Sequence, residues 1–172
     1  MKIKEYQEKA LETAIYPNKG NNHIYPFLGL CGEFGEFYKT SSINNYKSLN
    51  EINLSKYELG DCYWYFVVLC WELNIDLDML AFVEIDMDNK EINLEAVFLH
   101  LSELAELFKK VIRDNTEINK EIVLEKLSLI FICIFKYMVW RDWDEYQIWQ
   151  MNIDKLQSRK ERNVIHGSGD ER

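Results

Sequence analysis

The sequence predicts an all-α helical bundle, and three observations carry that prediction. Apolar residues recur at helical spacing along nearly the whole chain, with no strict alternation long enough to outvote them. Only 2 Pro and 7 Gly punctuate 172 residues, too few turn residues for a sandwich or barrel of many short strands. With 48% apolar residues the chain can fill one core and lies far from the composition of disordered chains. One domain covering residues 1–172 is therefore expected.

The first helix is predicted over residues 3–15 and stops before Pro17, with the polar stretch 18–23 as a loop. A second begins near Pro26, a residue suited to a first helical turn, and runs to about residue 40. Residues 41–53 are polar and Asn-rich, a connection, and a very apolar third helix follows over 54–73. Asp76 opens a fourth, with Asp78 in its first turn where a carboxylate complements the helix dipole. Two more are predicted at 94–113 and 120–140, and a last at 144–163. The tail HGSGDER is too small and polar to be helical.

Charge and cysteine usage narrow the function classes. The 29 Asp plus Glu against 20 Lys plus Arg give a net charge of -9, a field that repels a polyphosphate backbone, so nucleic acid is not an expected partner. Cys31, Cys62, Cys70 and Cys133 sit among apolar residues without a CxxC pair, and read as buried, reduced thiols. The N-terminus is charged throughout, so nothing directs the chain to export and a cytoplasmic location is expected. The apolar stretches 62–71 and 127–140 fall short of the roughly 20 residues that span a bilayer; no membrane partner is expected.

The layout reads as an internal duplication. A shift of 70 residues lays Glu33, Glu36 and Lys39 on Glu103, Glu106 and Lys109. The apolar helices 62–71 and 129–140 then also correspond, with a gap of a residue or two. Two such helical hairpins would pack as a pseudo-symmetric four-helix core. ExxE by itself is a pattern that two amphipathic helices can share by periodicity alone.

The chemistry-bearing residues lie in the first copy. Glu33 and Glu36 are three apart and project from one helical face, and Glu58 and Asp61 do the same on the next long helix. Alone, either pair is a common solvated face. Converging between two helices, four carboxylates repel one another unless a cation sits among them. Oxygen-only ligation, with no His or Cys nearby, selects Mg2+ or Mn2+. In the same helix Gly29, Gly32 and Gly35 form a stripe, each costing about 1 kcal/mol relative to Ala, so a partner helix or a ligand is expected to press close. Near the end of the chain Asn152, Lys155 and Arg159 share a helical face and, with Lys160 and Arg162, form the one concentrated basic patch. Such a patch is commonly a solvated helix end complementing the dipole, but it also suits phosphate.

These residues carry a resemblance. The runs YPFLGLCGEFGEF, KYELGDCYWYFVVLCWELNIDLD and NIDKLQSRKERNVIHGSGDER resemble the MazG-like nucleoside triphosphate pyrophosphohydrolases, an all-α superfamily whose site motif is ExxE, a spacer, then ExxD. The likeness covers the first ninety residues and the last thirty. It implies hydrolysis of an NTP or dNTP to the monophosphate and pyrophosphate, with Mg2+ (or Mn2+) held by Glu33, Glu36, Glu58 and Asp61. Phosphates would be met by Asn152, Lys155 and Arg159, and Glu33 or Glu36 would orient or deprotonate the attacking water. Tyr65 lies four residues beyond Asp61 on the same face, and Tyr65, Tyr25, Phe27 or Trp64 would form an aromatic wall for the base. The expected partners are the nucleoside triphosphate and a second copy of the chain.

The chain departs from compact members of that family, where the ExxD helix leads directly into the KLxxR helix. Here about seventy residues intervene, and they look like the second copy. Residues 1–90 hold the intact motif, 91–163 the second copy, and 164–172 the tail. Where ExxD belongs the second copy offers Glu125-Lys-Leu-Ser128 or Lys126-Leu-Ser-Leu129, so it looks degenerate. Dimeric dUTPases also resemble a fused pair of halves with one working site, which keeps dUTP on the substrate list beside phosphoribosyl-ATP; outside enzymes, the alternative is a non-catalytic helical interaction protein whose acidic residues are solvated. Lys109, Lys110 and Arg113 are further candidates to meet phosphates.

Overall fold

The computed structural model describes residues 1–41, 48–82 and 93–164. They form six α-helices: α1 Ile3–Thr13, α2 Ile24–Ser41, α3 Leu49–Glu72, α4 Glu95–Asp114, α5 Lys120–Trp140 and α6 Glu145–Glu161. A 3-10 helix, Leu77–Phe82, lies between α3 and α4, and no strand occurs among the described residues. The all-α expectation therefore holds. None of the described helices is long and apolar enough to cross a membrane.

Local chemistry explains where the elements start and stop. Thr13 Oγ1 donates to Ala10 O at 2.9 Å and Ala14 N–H turns back to Leu11 O, so α1 ends two residues early, ahead of Pro17. Asn22 Oδ1 accepts from Tyr25 N and opens α2, with Pro26 in the first turn. Helix α3 begins five residues before the predicted start because Ser48 Oγ accepts from Glu51 N at 3.3 Å, half of a Ser-x-x-Glu capping box. Asp76 does open a helical turn, its Oδ1 accepting from Asp78 N at 3.1 Å, but the bond from Met79 N to Asp76 O makes that turn 3-10. Asn119 caps α5 through Glu121 N and Ile122 N, and Asn115 ends α4 in the left-handed region at φ 50.

The chain divides into two compact units, Met1–Glu72 with Glu145–Arg172, and Leu73–Asp144. In the first, α2 packs along α3, α3 against α6, and α1 against both α3 and α6. Its core contains Tyr6, Leu30, Phe34, Phe37, Leu59, Phe66 and Ile148, all fully or almost fully buried. Glu72 ties the loop after α1 to the end of α3, accepting from Tyr16 Oη, from Gly20 N at 2.8 Å and from Asn22 N at 2.9 Å. In the second unit α4 packs on α5 and the 3-10 helix packs on α5, around Val97, Leu104, Phe108, Leu127 and Ile130. The two hairpins read as copies, α2–α3 and α4–α5, are thus both present, one in each unit.

Candidate metal centre

The first unit's site grows from a close approach of α2 and α3. A Cβ added to Gly29 would lie 2.1 Å from the ring of Tyr65, so only glycine admits the ring there. Tyr65 therefore packs between the helices, 6.3 Å from the ring of Tyr25, which itself stacks on Tyr16 at 4.6 Å. The stripe divides at this point: a Cβ at Gly32 or Gly35 would meet nothing within 4 Å. Gly29 alone answers the expectation that something presses on all three.

Beyond Gly29 along α2, Glu33 and Glu36 face Glu58 of α3, and one carboxylate oxygen from each lies within 4.8 Å of the others. Glu58 is buried, Glu33 half-buried and Glu36 exposed. Burial, followed by the charges of Asp61, Glu36 and Glu58, pushes the Glu33 carboxyl up from 4.5 to about 8, while Lys155 pulls it down. No other group of three or more His, Cys, Asp or Glu with metal-ligand spacing occurs among the described residues.

Asp61, the fourth predicted ligand, lies outside that group of three and has partners from α6. Asn152 Nδ2 donates to Asp61 Oδ1 at 2.8 Å, and Lys155 Nζ donates to Oδ2 in a close ion pair. Asn152 is fully buried, and its Oδ1 accepts from Tyr6 Oη at 2.9 Å. Its Cβ also presses on α3, where a Cβ at Gly60 would come within 2.9 Å of it. Both ends of the Asn152 amide are therefore engaged by protein groups. It orients Asp61 in this structure, and Tyr6 orients it in turn. Neither Tyr6 nor Gly60 was visible as a site residue in the sequence, because α1 carries no motif linking it to α3 and α6.

Arg159 is 5% exposed and shares with Lys155 the wall of a cleft of about 400 Å³ between α3 and α6. Ser158 lines it from α6, Arg162 from just past the end of that helix, and Leu54 and Tyr57 from α3. Tyr57 is a cleft aromatic that the sequence reading did not single out; its position one residue before Glu58 was the available signal. Two of the four aromatics that it did single out are core: Phe27 is 4% exposed, and buried Trp64 donates Nε1 to Ala10 O and Thr13 Oγ1. The GSGD segment lies outside the described residues.

The second unit neutralises its corresponding carboxylates with side chains. Glu103 accepts from Lys126 at 3.0 Å and contacts His100 at 3.3 Å, and Glu106 pairs with Lys109 and with Lys110 at 3.4 Å. Lys126 belongs to both stretches, 125–128 and 126–129, that the sequence offers in place of ExxD, and its ammonium is the group that neutralises Glu103. Arg113 binds the neighbouring Asp114 at 2.7 Å. Cys62 and Cys70 are buried as expected, whereas Cys31 and Cys133 are half-buried; burial raises the pKa of all four thiols.

Three carboxylates with mutual repulsion and no nitrogen or sulfur donor form a donor set suited to a hard divalent cation. Comparison with known protein families, with curated proteins and with solved structures found no match.

Proposed function

We propose that this chain is a Mg2+-dependent nucleoside triphosphate pyrophosphohydrolase, converting an NTP or dNTP to its monophosphate and pyrophosphate, with Mn2+ as a competent substitute. The observation that carries the reading is the convergence of Glu33, Glu36 and Glu58 within 4.8 Å, beside an Asp61–Lys155 pair. The ExxE and ExxD spacings support the same assignment. Glu33, Glu36 and Glu58 would hold the ion, with Asp61 as the fourth carboxylate. The bound ion would supply charge neutralisation on the phosphate oxygens and on the pyrophosphate leaving group.

The chain's own residues would do the rest. Glu33 or Glu36 would orient the attacking water or take its proton. Lys155 and Arg159 meet phosphate oxygens from α6. Asn152 acts by holding Asp61 in place. Free nucleotides as substrate correspond to a cytoplasmic location. Exposed Leu28, on one face of α2 with the uncovered Gly32 and Gly35, supports a homodimer through that face.

Pyrophosphate release from a panel of common NTPs and dNTPs, dUTP and phosphoribosyl-ATP, with Mg2+ titrated from zero, tests this function. Metal-dependent release from at least one substrate, lost in Glu58→Gln, is expected. Absence of release across the panel, with no rise in Tm on adding Mg2+ or Mn2+, would overturn it.

A further inference from the structure

Lys155 faces two features of the first unit at once. Its ammonium pairs with Asp61, and the two side chains are only 11% and 15% exposed. It also lines the cleft between α3 and α6, with Arg159, Arg162 and Ser158 beside it and the Tyr57 ring centroid 5.6 Å from its Nζ. The cleft's cations thus outnumber Asp154, which lines it too and accepts from Gln150 Nε2 at 2.8 Å. Arrangements of Arg, Lys and a hydroxyl around a small cleft recognise phosphoryl oxygens. An ammonium already neutralised by a carboxylate attracts such an anion weakly.

The geometry points to Lys155 as a shared cation: Asp61 holds it in one arrangement, and in the other it turns its charge to a phosphoryl group in the cleft. This inference rests on the metal reading above for what drives the exchange. A divalent ion among the glutamates would offer Asp61 a doubly charged partner in place of a singly charged one, since Asp61 lies three residues beyond Glu58 on α3 and shares its helical face. Once Asp61 has that partner, the Lys155 charge is available to the cleft. Binding of ion and anion then reinforce each other, and by linkage each raises the other's affinity by the same factor. Substrate carrying a phosphoryl group is thereby captured preferentially by protein that already holds its metal.

The test is calorimetric and uses inorganic phosphate and MgCl2, with no turnover needed. Without metal, Asp61→Asn removes the competitor for Lys155 and is expected to bind phosphate at least tenfold more tightly than the wild type. Lys155→Met in the Asp61→Asn background abolishes that gain. Arg162 is exposed on the cleft rim, and Arg162→Ala is expected to weaken phosphate binding at least fivefold with Mg2+ affinity unchanged, which tests the cleft even if Asp61→Asn fails to fold. Equal phosphate affinity in Asp61→Asn and wild type, or no effect of Arg162→Ala, would overturn the shared cation. No Mg2+ binding to the wild type would overturn the metal reading and the exchange that rests on it, whereas Mg2+ binding with equal phosphate affinity in Asp61→Asn and wild type would overturn the shared cation alone.

Discussion

Asn152 bridges Tyr6 and Asp61: it accepts from the Tyr6 hydroxyl at 2.9 Å and donates to the Asp61 carboxylate at 2.8 Å. That relay joins α1, α6 and α3 through one fully buried amide. A buried amide with both ends satisfied fixes its orientation, since flipping it would set oxygen against carboxylate and nitrogen against a hydroxyl that can no longer donate to it. Asp61 is therefore held on α3 by a residue 91 positions away in sequence.

The relay predicts a large effect from a small change. Tyr6→Phe removes one oxygen and leaves Asn152 Oδ1 buried without its donor, which costs about 1–3 kcal/mol. A lower denaturation midpoint at unchanged m-value is expected, with a fall in kcat as Asp61 loses its orientation. Wild-type stability in Tyr6→Phe would mean that the amide is satisfied in some other way.

The Glu33 carboxyl gives the site a pH signature. Its pKa is raised on folding from 4.5 to about 8, so the folded protein binds that proton more tightly than the unfolded chain does. The stability it confers is full below the ordinary carboxylate range and is lost as pH climbs through about 8. Metal-free protein should therefore show a Tm that falls between pH 5 and 9, and Glu33→Gln should flatten that fall. Metal binding needs the carboxylate, so Mg2+ affinity should rise over the same interval, with proton release on binding near pH 7. Calorimetry in buffers of different ionisation enthalpy measures that release; none at pH 7 would remove Glu33 from the ion's ligands.

How much of this was legible in the sequence differs between fold and site. Helical periodicity located each α-helix among the described residues, because apolar side chains recur on the face that each one buries. The start of α3 was missed because Ser48 and Glu51 lie in an Asn-rich stretch that reads as loop, although their spacing is that of a capping box. The convergence of Glu33, Glu36 and Glu58 followed from i, i+3 spacing on neighbouring helices. The engagement of Asp61 by Asn152 and Lys155 did not, since it depends on how α6 packs on α3 after a long intervening segment. Helical spacing places residues on a face, and tertiary packing decides what that face meets.

The second copy should be dispensable for the chemistry. Its carboxylates are already matched, Glu103 by Lys126 and Glu106 by Lys109 and Lys110, on the protein surface. The double change Glu103→Gln with Glu106→Gln is expected to keep most of the activity and all of the Mg2+ binding. The same double change at Glu33 and Glu36 should lose both. Loss of a metal-binding event in the Glu103/Glu106 variant, counted by calorimetry, would show that the second hairpin holds an ion after all.

The glycines of α2 separate packing from open surface in a single helix. An alanine methyl at position 29 would lie within 2.1–2.5 Å of three atoms of the Tyr65 ring, and that ring is held between Gly29 and Tyr25. Either α2 moves off α3 or the ring leaves its place, an overpacking that costs about 1–3 kcal/mol. Because Glu33 is one helical turn beyond Gly29, the same displacement shifts its carboxylate relative to Glu58 and weakens the metal. Gly32→Ala and Gly35→Ala meet no atom within 4 Å and remove a backbone-entropy penalty, so each should stabilise the helix by up to about 1 kcal/mol. Denaturation midpoints of the three variants at low protein concentration check the sign. Gly29→Ala should fall and lose Mg2+ affinity, and the other two should rise with affinity intact. A Gly29→Ala protein as stable as the wild type, with undiminished Mg2+ binding, would mean that Tyr65 does not set the spacing of α2 and α3.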